Sequence, residues 1–126
     1  MKVLMIDDTR TVHMLVKSLL AKGEGIEVTS AMNGEEGWNA LNANPNYDLI
    51  LLDWEMPVLN GVDTLAKIRA SGFQIPIIMM TTKNEPDDIK RALELGASEY
   101  MMKPFTIDIL FEKMSFVLGK EVPHAA

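Results

Sequence analysis

The stretch Asp48-Leu49-Ile50-Leu51-Leu52-Asp53-Trp54-Glu55-Met56-Pro57 constrains the fold more than any other. Leu49 to Leu52 run apolar without a break and stop at a carboxylate. A continuous apolar run this short fits a strand buried on both faces, as in a parallel sheet under helices. Pro57 cannot continue a central strand, and Asn60-Gly61 marks a turn. Asp53 is therefore predicted at the carboxyl end of a central strand, where open α/β sheets place their ligands. Taken alone, an Asp at this point is more simply a loop-start residue bonding nearby amides. The rest of the chain changes that balance.

Val3-Leu4-Met5-Ile6 is a second apolar run, and it ends in Asp7-Asp8. Val12, Leu15, Val16, Leu19 and Leu20 then recur at helical spacing, closed by Gly23 and Gly25. Ile26-Glu27-Val28-Thr29 alternates as a short strand nearer an edge. Residues 33–42 read as a short helix with Trp38 and Leu41 on one face. Residues 61–70 read as a helix offering Val62, Leu65, Ala66 and Ile68 to the core. Ile77-Ile78-Met79-Met80 is a third buried strand, ending in Thr81-Thr82. Asn84 to Asp88 starts a helix, with Pro86 in its first turn and acidic residues complementing its dipole. Ile89, Ala92 and Leu93 are expected to face inward there. Tyr100-Met101-Met102 is a last short strand, ending at Lys103-Pro104. Ile107, Leu110, Phe111, Met114, Val117 and Leu118 repeat along a final helix closed by Gly119. Strand then helix, five times over, predicts an α/β fold: a doubly wound, five-stranded parallel sheet with helices on both faces.

One domain over residues 1–119 is the expected organisation, with a short polar tail, 120–126, expected to be disordered. No output domain is expected, neither a DNA-binding helix-turn-helix nor a catalytic effector. The net charge of −6 argues against non-specific binding to nucleic acid. The chain has no cysteine, which fits a reducing compartment. No apolar run approaches membrane-spanning length, and the first is too short for a signal-peptide core. A cytoplasmic setting without membrane insertion is the expectation. His13 and His124 have no metal-ligand spacing and read as solvated.

Four of the five predicted strands end in a residue capable of chemistry: Asp7-Asp8, Asp53, Thr81 and Lys103. In a parallel sheet these ends share one edge. Three carboxylates, a hydroxyl and an ammonium would then meet in one cleft. Carboxylates held that close repel, and a hard divalent cation such as Mg²⁺ relieves them. Asp can act as a covalent nucleophile towards phosphorus, and Mg²⁺ with Lys would stabilise the charge that develops in transfer. Each residue has a plainer reading. Asp8 is also placed to cap the first helix, Thr81 could simply end a strand, and Lys103 could be a solvated lysine. Their conjunction at separate strand ends favours chemistry.

With these residues in place, the chain resembles the receiver domain of two-component response regulators, and within that family the single-domain chemotaxis regulators of the CheY type. The resemblance rests on Asp7-Asp8, on Asp53 in Leu-Leu-Asp-Trp-Glu-Met-Pro, on Asn60-Gly61, Thr81 and Tyr100, and on Lys103-Pro104-Phe105. It spans residues 2–118. It implies a flavodoxin-like (βα)5 fold with strand order 2-1-3-4-5. It implies that Asp53 accepts a phosphoryl group from a sensor histidine kinase. Asp8 and Asp53 would bind Mg²⁺ directly, Asp7 mainly through water, and Glu55 through its backbone carbonyl. Lys103 would pair with Asp53 and then with the phosphoryl oxygens. Thr81 and Tyr100 would be the switch residues, and the Lys103-Pro104 bond is expected to be cis.

Two features depart from the best-known pattern. Thr82 stands where a small residue is common. Glu55 and Lys83, each two residues beyond a site residue, occupy positions that tune dephosphorylation in the family and are expected to pair over the phosphoryl group. The expected output face includes Tyr100, Lys113 and Phe116. Phe116 falls beside the apolar stripe of the last helix, where it either packs on its neighbours or stands free as a docking residue.

The resulting expectation is a monomeric, stand-alone response regulator that signals by phosphorylation-dependent binding to a flagellar motor switch protein. It would catalyse only its own phosphorylation and dephosphorylation. The alternative is a phosphorelay intermediate that passes the group to a histidine phosphotransfer protein. An aspartyl-phosphate hydrolase would want a second Asp where Glu55 stands. An FMN carrier would place phosphate against Asp7-Asp8, which repels it.

Overall fold

The uninterrupted apolar runs become the inner strands of one sheet. The computed structural model describes residues 1–125. Its elements are β1 (Lys2–Ile6), α1 (Arg10–Leu20), β2 (Glu27–Ala31), α2 (Gly34–Ala43), β3 (Leu49–Asp53), α3 (Gly61–Ala70), β4 (Ile77–Thr81), α4 (Pro86–Glu94), β5 (Glu99–Met102) and α5 (Ile107–Leu118). The strands pair in parallel in the order β2-β1-β3-β4-β5. The fold class and strand order are those expected, and β2, the alternating strand, lies at an edge.

Side chains alternate across the sheet, so each inner strand feeds two cores. Leu4, Ile6, Ile50, Leu52, Ile77 and Met79 point to one face, where Leu41, Leu65, Ile68 and Ala92 of α2, α3 and α4 cover them. Val3, Met5, Leu49, Leu51, Ile78 and Met80 point to the other, under Val16 and Leu20 of α1 and Leu110, Phe111 and Met114 of α5. Burial of each such side chain contributes about 2 kcal/mol. This two-sided burial is why the strands read as continuous apolar runs.

Three expectations about burial are corrected. On α1 the buried face is His13, Val16 and Leu20, and Leu15 is 43% exposed. The 13, 16, 20 spacing centres the stripe one residue away from Leu15, and His13 is buried rather than solvated. On α4, Ala92 takes the inward position and Leu93 is 45% exposed. Successive helical residues point about 100° apart, so the two cannot share one narrow contact.

Residues 121–125, expected as part of a disordered tail, instead lie against the end of α1 and the side of α5. Val122 is buried and its amide donates to Ser115 Oγ. His124 bridges to Gly23, and its ring stacks on Phe111 with centroids 4.2 Å apart. His124 is half-buried rather than solvated. The apolar side of Phe111 left open at the end of the core explains the docking. Ala126 lies outside the described residues.

Candidate functional site

The sheet topology brings the carboxyl ends of β1, β3, β4 and β5 to one edge. Just past β1, Asp7 is fully buried and Asp8 is exposed. The Asp7 amide donates to the Ala31 carbonyl (3.1 Å), and its Oδ1 accepts from the Thr9 amide (2.8 Å). Asp8 was expected to cap α1 as well. The N-cap is instead Thr9, one residue later, without a side-chain cap bond. The Asp8 carboxylate therefore remains available at the mouth of the cleft.

Asp53 is the last residue of β3. The chain then loops back closely: Gly61 donates to the Trp54 carbonyl at 2.8 Å, and a Cβ on Gly61 would strike the Asp53 carbonyl. Only glycine fits there, and Asn60 caps α3 by accepting from the Asp63 amide at 2.9 Å. This is the physical content of the Asn60-Gly61 signal. Between them, Leu59 donates to Pro57 across a tight turn at 2.8 Å, with Val58 at φ 69°. A β-branched residue is strained in that region.

Thr81 ends β4, buried, and its Oγ1 accepts from the Lys83 amide at 2.8 Å. Lys103 follows β5, with its amide bonded to the Thr81 carbonyl at 2.8 Å. Its Nζ lies 2.9 Å from Asp53 Oδ1 and 2.9 Å from Asp7 Oδ2. Asp8, Asp53, Trp54, Thr81, Thr82 and Lys103 line one cleft of ≈ 150 Å³.

Burial raises the Asp53 carboxyl to about 6, the Lys103 bond opposes that rise, and the charges of Asp7 and Asp8 add to it. Burial lowers Lys103, but its bonds to Asp53 and Asp7 outweigh this and hold the ammonium above its ordinary value. One ammonium cannot neutralise three carboxylates. Asp7, Asp8 and Asp53 each offer an oxygen within 4.8 Å of the others. That spacing and the uncompensated charge suit a hard, oxygen-seeking divalent cation. The observations together place a buried carboxylate, a fixed ammonium and three carboxylates able to hold a cation around one small polar cleft.

Residues 3–115 match the model of the response regulator receiver domain family. The chain belongs to that family. The receiver chain is 40% identical over 121 residues to the chemotaxis protein CheY1 of Helicobacter pylori, covering 94% of this chain and 98% of that one. It is 36% identical to the CheY homologue of Campylobacter jejuni, covering 94% and 93%. Among solved structures, chemotaxis protein CheY4 of Vibrio cholerae superposes with a TM-score of 0.85 at 30% identity, over 93% of this chain and 98% of that one.

The remaining expected residues of the receiver fall into two groups. Glu55 and Lys83 lie at the cleft rim, with Lys83 Nζ 3.5 Å from Glu55 Oε1. Thr82 is exposed and also borders an apolar crevice formed with Val12, Leu15, Pro104 and Phe105. The Lys103-Pro104 bond is cis. Tyr100 lies on β5, away from the cleft, with Lys113 Nζ 5.2 Å from its ring centre. Lys113 also pairs with Glu99 at 3.4 Å. Phe116 is 71% exposed, so of its two readings the packed one is excluded. Sequence reasoning missed His13, whose Nε2 lies 2.7 Å from the Asp7 carbonyl. Its signal was the 13, 16, 20 spacing with two buried apolar residues. It also missed the direct bond between Asp7 and Lys103.

Proposed function

We propose that this receiver accepts a phosphoryl group on Asp53 from a histidine kinase, with Mg²⁺ bound, and signals by phosphorylation-dependent protein binding. The observation that carries the reading is Lys103 Nζ bonded at 2.9 Å to both Asp53 and Asp7, beside the exposed Asp8. Asp8, Asp53 and the Glu55 carbonyl would hold the cation, with Asp7 behind them. The cation supplies charge neutralisation at the phosphoryl oxygens. Lys103 and Thr81 stand ready to bond those oxygens. The protein turns over no metabolite and works as a cytoplasmic monomer.

Chemotaxis is the pathway favoured by the relatives' names and by near-complete coverage of their length. The output surface is the Tyr100, Lys113 and Phe116 face, and the partner is a flagellar motor switch protein. Affinity capture from native extract tests this, with Mg²⁺ and with or without a beryllofluoride phosphoryl mimic, using Asp53→Asn as control. Motor switch protein retained only with the mimic is the expected result. Retention of a histidine phosphotransfer protein alone would replace the chemotaxis reading with a phosphorelay.

The Glu55–Lys83 pair spans the path of an attacking water. It is expected to prolong the phosphorylated state, so Glu55→Asn and Lys83→Ala should each speed its decay. An exposed pair is worth at most about 1 kcal/mol, which bounds the change at roughly fivefold. Time courses of the phosphorylated protein measure this, and unchanged decay in both variants would sink it.

A further inference from the structure

The His13 imidazole is 5% exposed, and its Nε2 lies 2.7 Å from the backbone oxygen of Asp7. A carbonyl oxygen only accepts, so Nε2 carries a proton and donates. Nδ1 is buried and has no partner among the described residues. His13 shares its face of α1 with Val16 and Leu20, which are buried and apolar. A leucine here would fill the same face without stranding a nitrogen, and a stranded polar atom is costly. What the imidazole supplies and an apolar residue cannot is the bond to Asp7.

That bond fixes one peptide plane. The Asp7 carbonyl belongs to the same planar unit as the Asp8 amide. The rest of Asp7 is also tied down: its amide to Ala31, Oδ1 to the Thr9 amide, Oδ2 to Lys103. Asp8 is the exposed member of the carboxylate set, and among the described residues its carboxylate has only a long contact of 3.4 Å from Thr9 Oγ1. Where its side chain starts from is therefore set by its backbone, and that backbone by the plane that His13 helps hold.

We infer that His13 is a positioning residue, which presets Asp8 for the divalent cation by donating to the Asp7 carbonyl. The inference rests on the proposed reading of Asp7, Asp8 and Asp53 as the cation-binding set. Contacts that orient a ligand from behind commonly change metal affinity about 10- to 100-fold.

The test compares His13→Leu, His13→Gln and Val16→Ala in the full chain. Mg²⁺ affinity is read by calorimetric titration and stability by thermal melting, with imidazole ¹⁵N shifts recorded on metal-free wild type. His13→Leu is expected to bind Mg²⁺ about tenfold more weakly, and His13→Gln, which keeps a donor, to recover most of that loss. Val16→Ala should melt lower and bind Mg²⁺ as wild type does. Wild-type Mg²⁺ affinity in His13→Leu would overturn the assignment and leave a purely structural histidine. Should His13→Leu fail to fold, the wild-type tautomer decides: a proton on Nε2 supports the bond, and a proton on Nδ1 alone overturns it. No Mg²⁺ binding by wild type would instead overturn the carboxylate reading beneath it.

Discussion

Asp53→Asn is expected to gain no phosphoryl group from a small acyl phosphate and Mg²⁺, while wild type gains one phosphoryl mass by intact-protein mass spectrometry. On the proposed reading, an Asp53 carboxylate oxygen in wild type would bond to phosphorus as the donor's bridging oxygen leaves with its electron pair. An amide lacks that nucleophile. Phosphorylation of the Asn variant would overturn the site. The same substitution should change stability in the opposite direction. The folded carboxyl sits at about 6 against an ordinary value of 3.8. The folded state therefore holds the proton more tightly, and metal-free stability falls as pH rises across that window, then levels off. Asn removes the penalty. Two pKa units at full strength are worth about 2.7 kcal/mol, which solvent screening in an open cleft reduces to about 1–2 kcal/mol. Urea midpoints without metal should thus favour Asp53→Asn at pH 7.5, with the advantage gone below pH 4. Equal midpoints at pH 7.5 would refute the electrostatic account.

Lys103→Ala carries the second large effect. It leaves Asp7 and Asp53 facing each other without the ammonium that bonds both at 2.9 Å. Breaking a buried ion pair by removing one partner costs about 3–5 kcal/mol. Lys103 keeps partial access to water, so about 2 kcal/mol is the expected loss at neutral pH. Acid should shrink the loss as the Asp53 carboxyl, raised to about 6, takes up a proton, and Mg²⁺ should restore part of it by supplying positive charge. Chemical denaturation with and without Mg²⁺ at pH 7.5 and pH 5 measures both. Lys103→Arg keeps the charge and should lose much less. An equal loss in Lys103→Arg would point to geometry rather than charge.

The strands at Leu49–Asp53 and Ile77–Thr81 were legible because both their faces are buried, which leaves an unbroken apolar run. The gathering of polar residues at their ends was legible for a related reason: a parallel sheet collects the residues that follow its strands. Where packing rather than periodicity decides burial, the sequence was less clear. Leu15 and His13 both lie near the α1 stripe, and only the contact with the Asp7 carbonyl settles which goes inside. Val122 and His124 follow a helix-ending glycine and look like a polar tail. Their docking depends on Phe111, which sequence alone places in the core without showing its open side. The double bond of Lys103 likewise required distances, since charge pattern alone does not choose among three acidic partners.

The Lys103 staple joins positions far apart along the chain, 50 residues from Asp53 and 96 from Asp7. As the polypeptide is synthesised, both aspartates are made long before their shared lysine. Until β5 has docked on β4, neither aspartate has that counter-charge, and the fifth side of the sheet lies open. The site is therefore completed only after the fifth strand, made after the other four, has joined the sheet. If Asp53 accepts the phosphoryl group as proposed, a half-folded copy would lack the ammonium that bonds both aspartates, and the signal would carry with it a certificate that its bearer has folded.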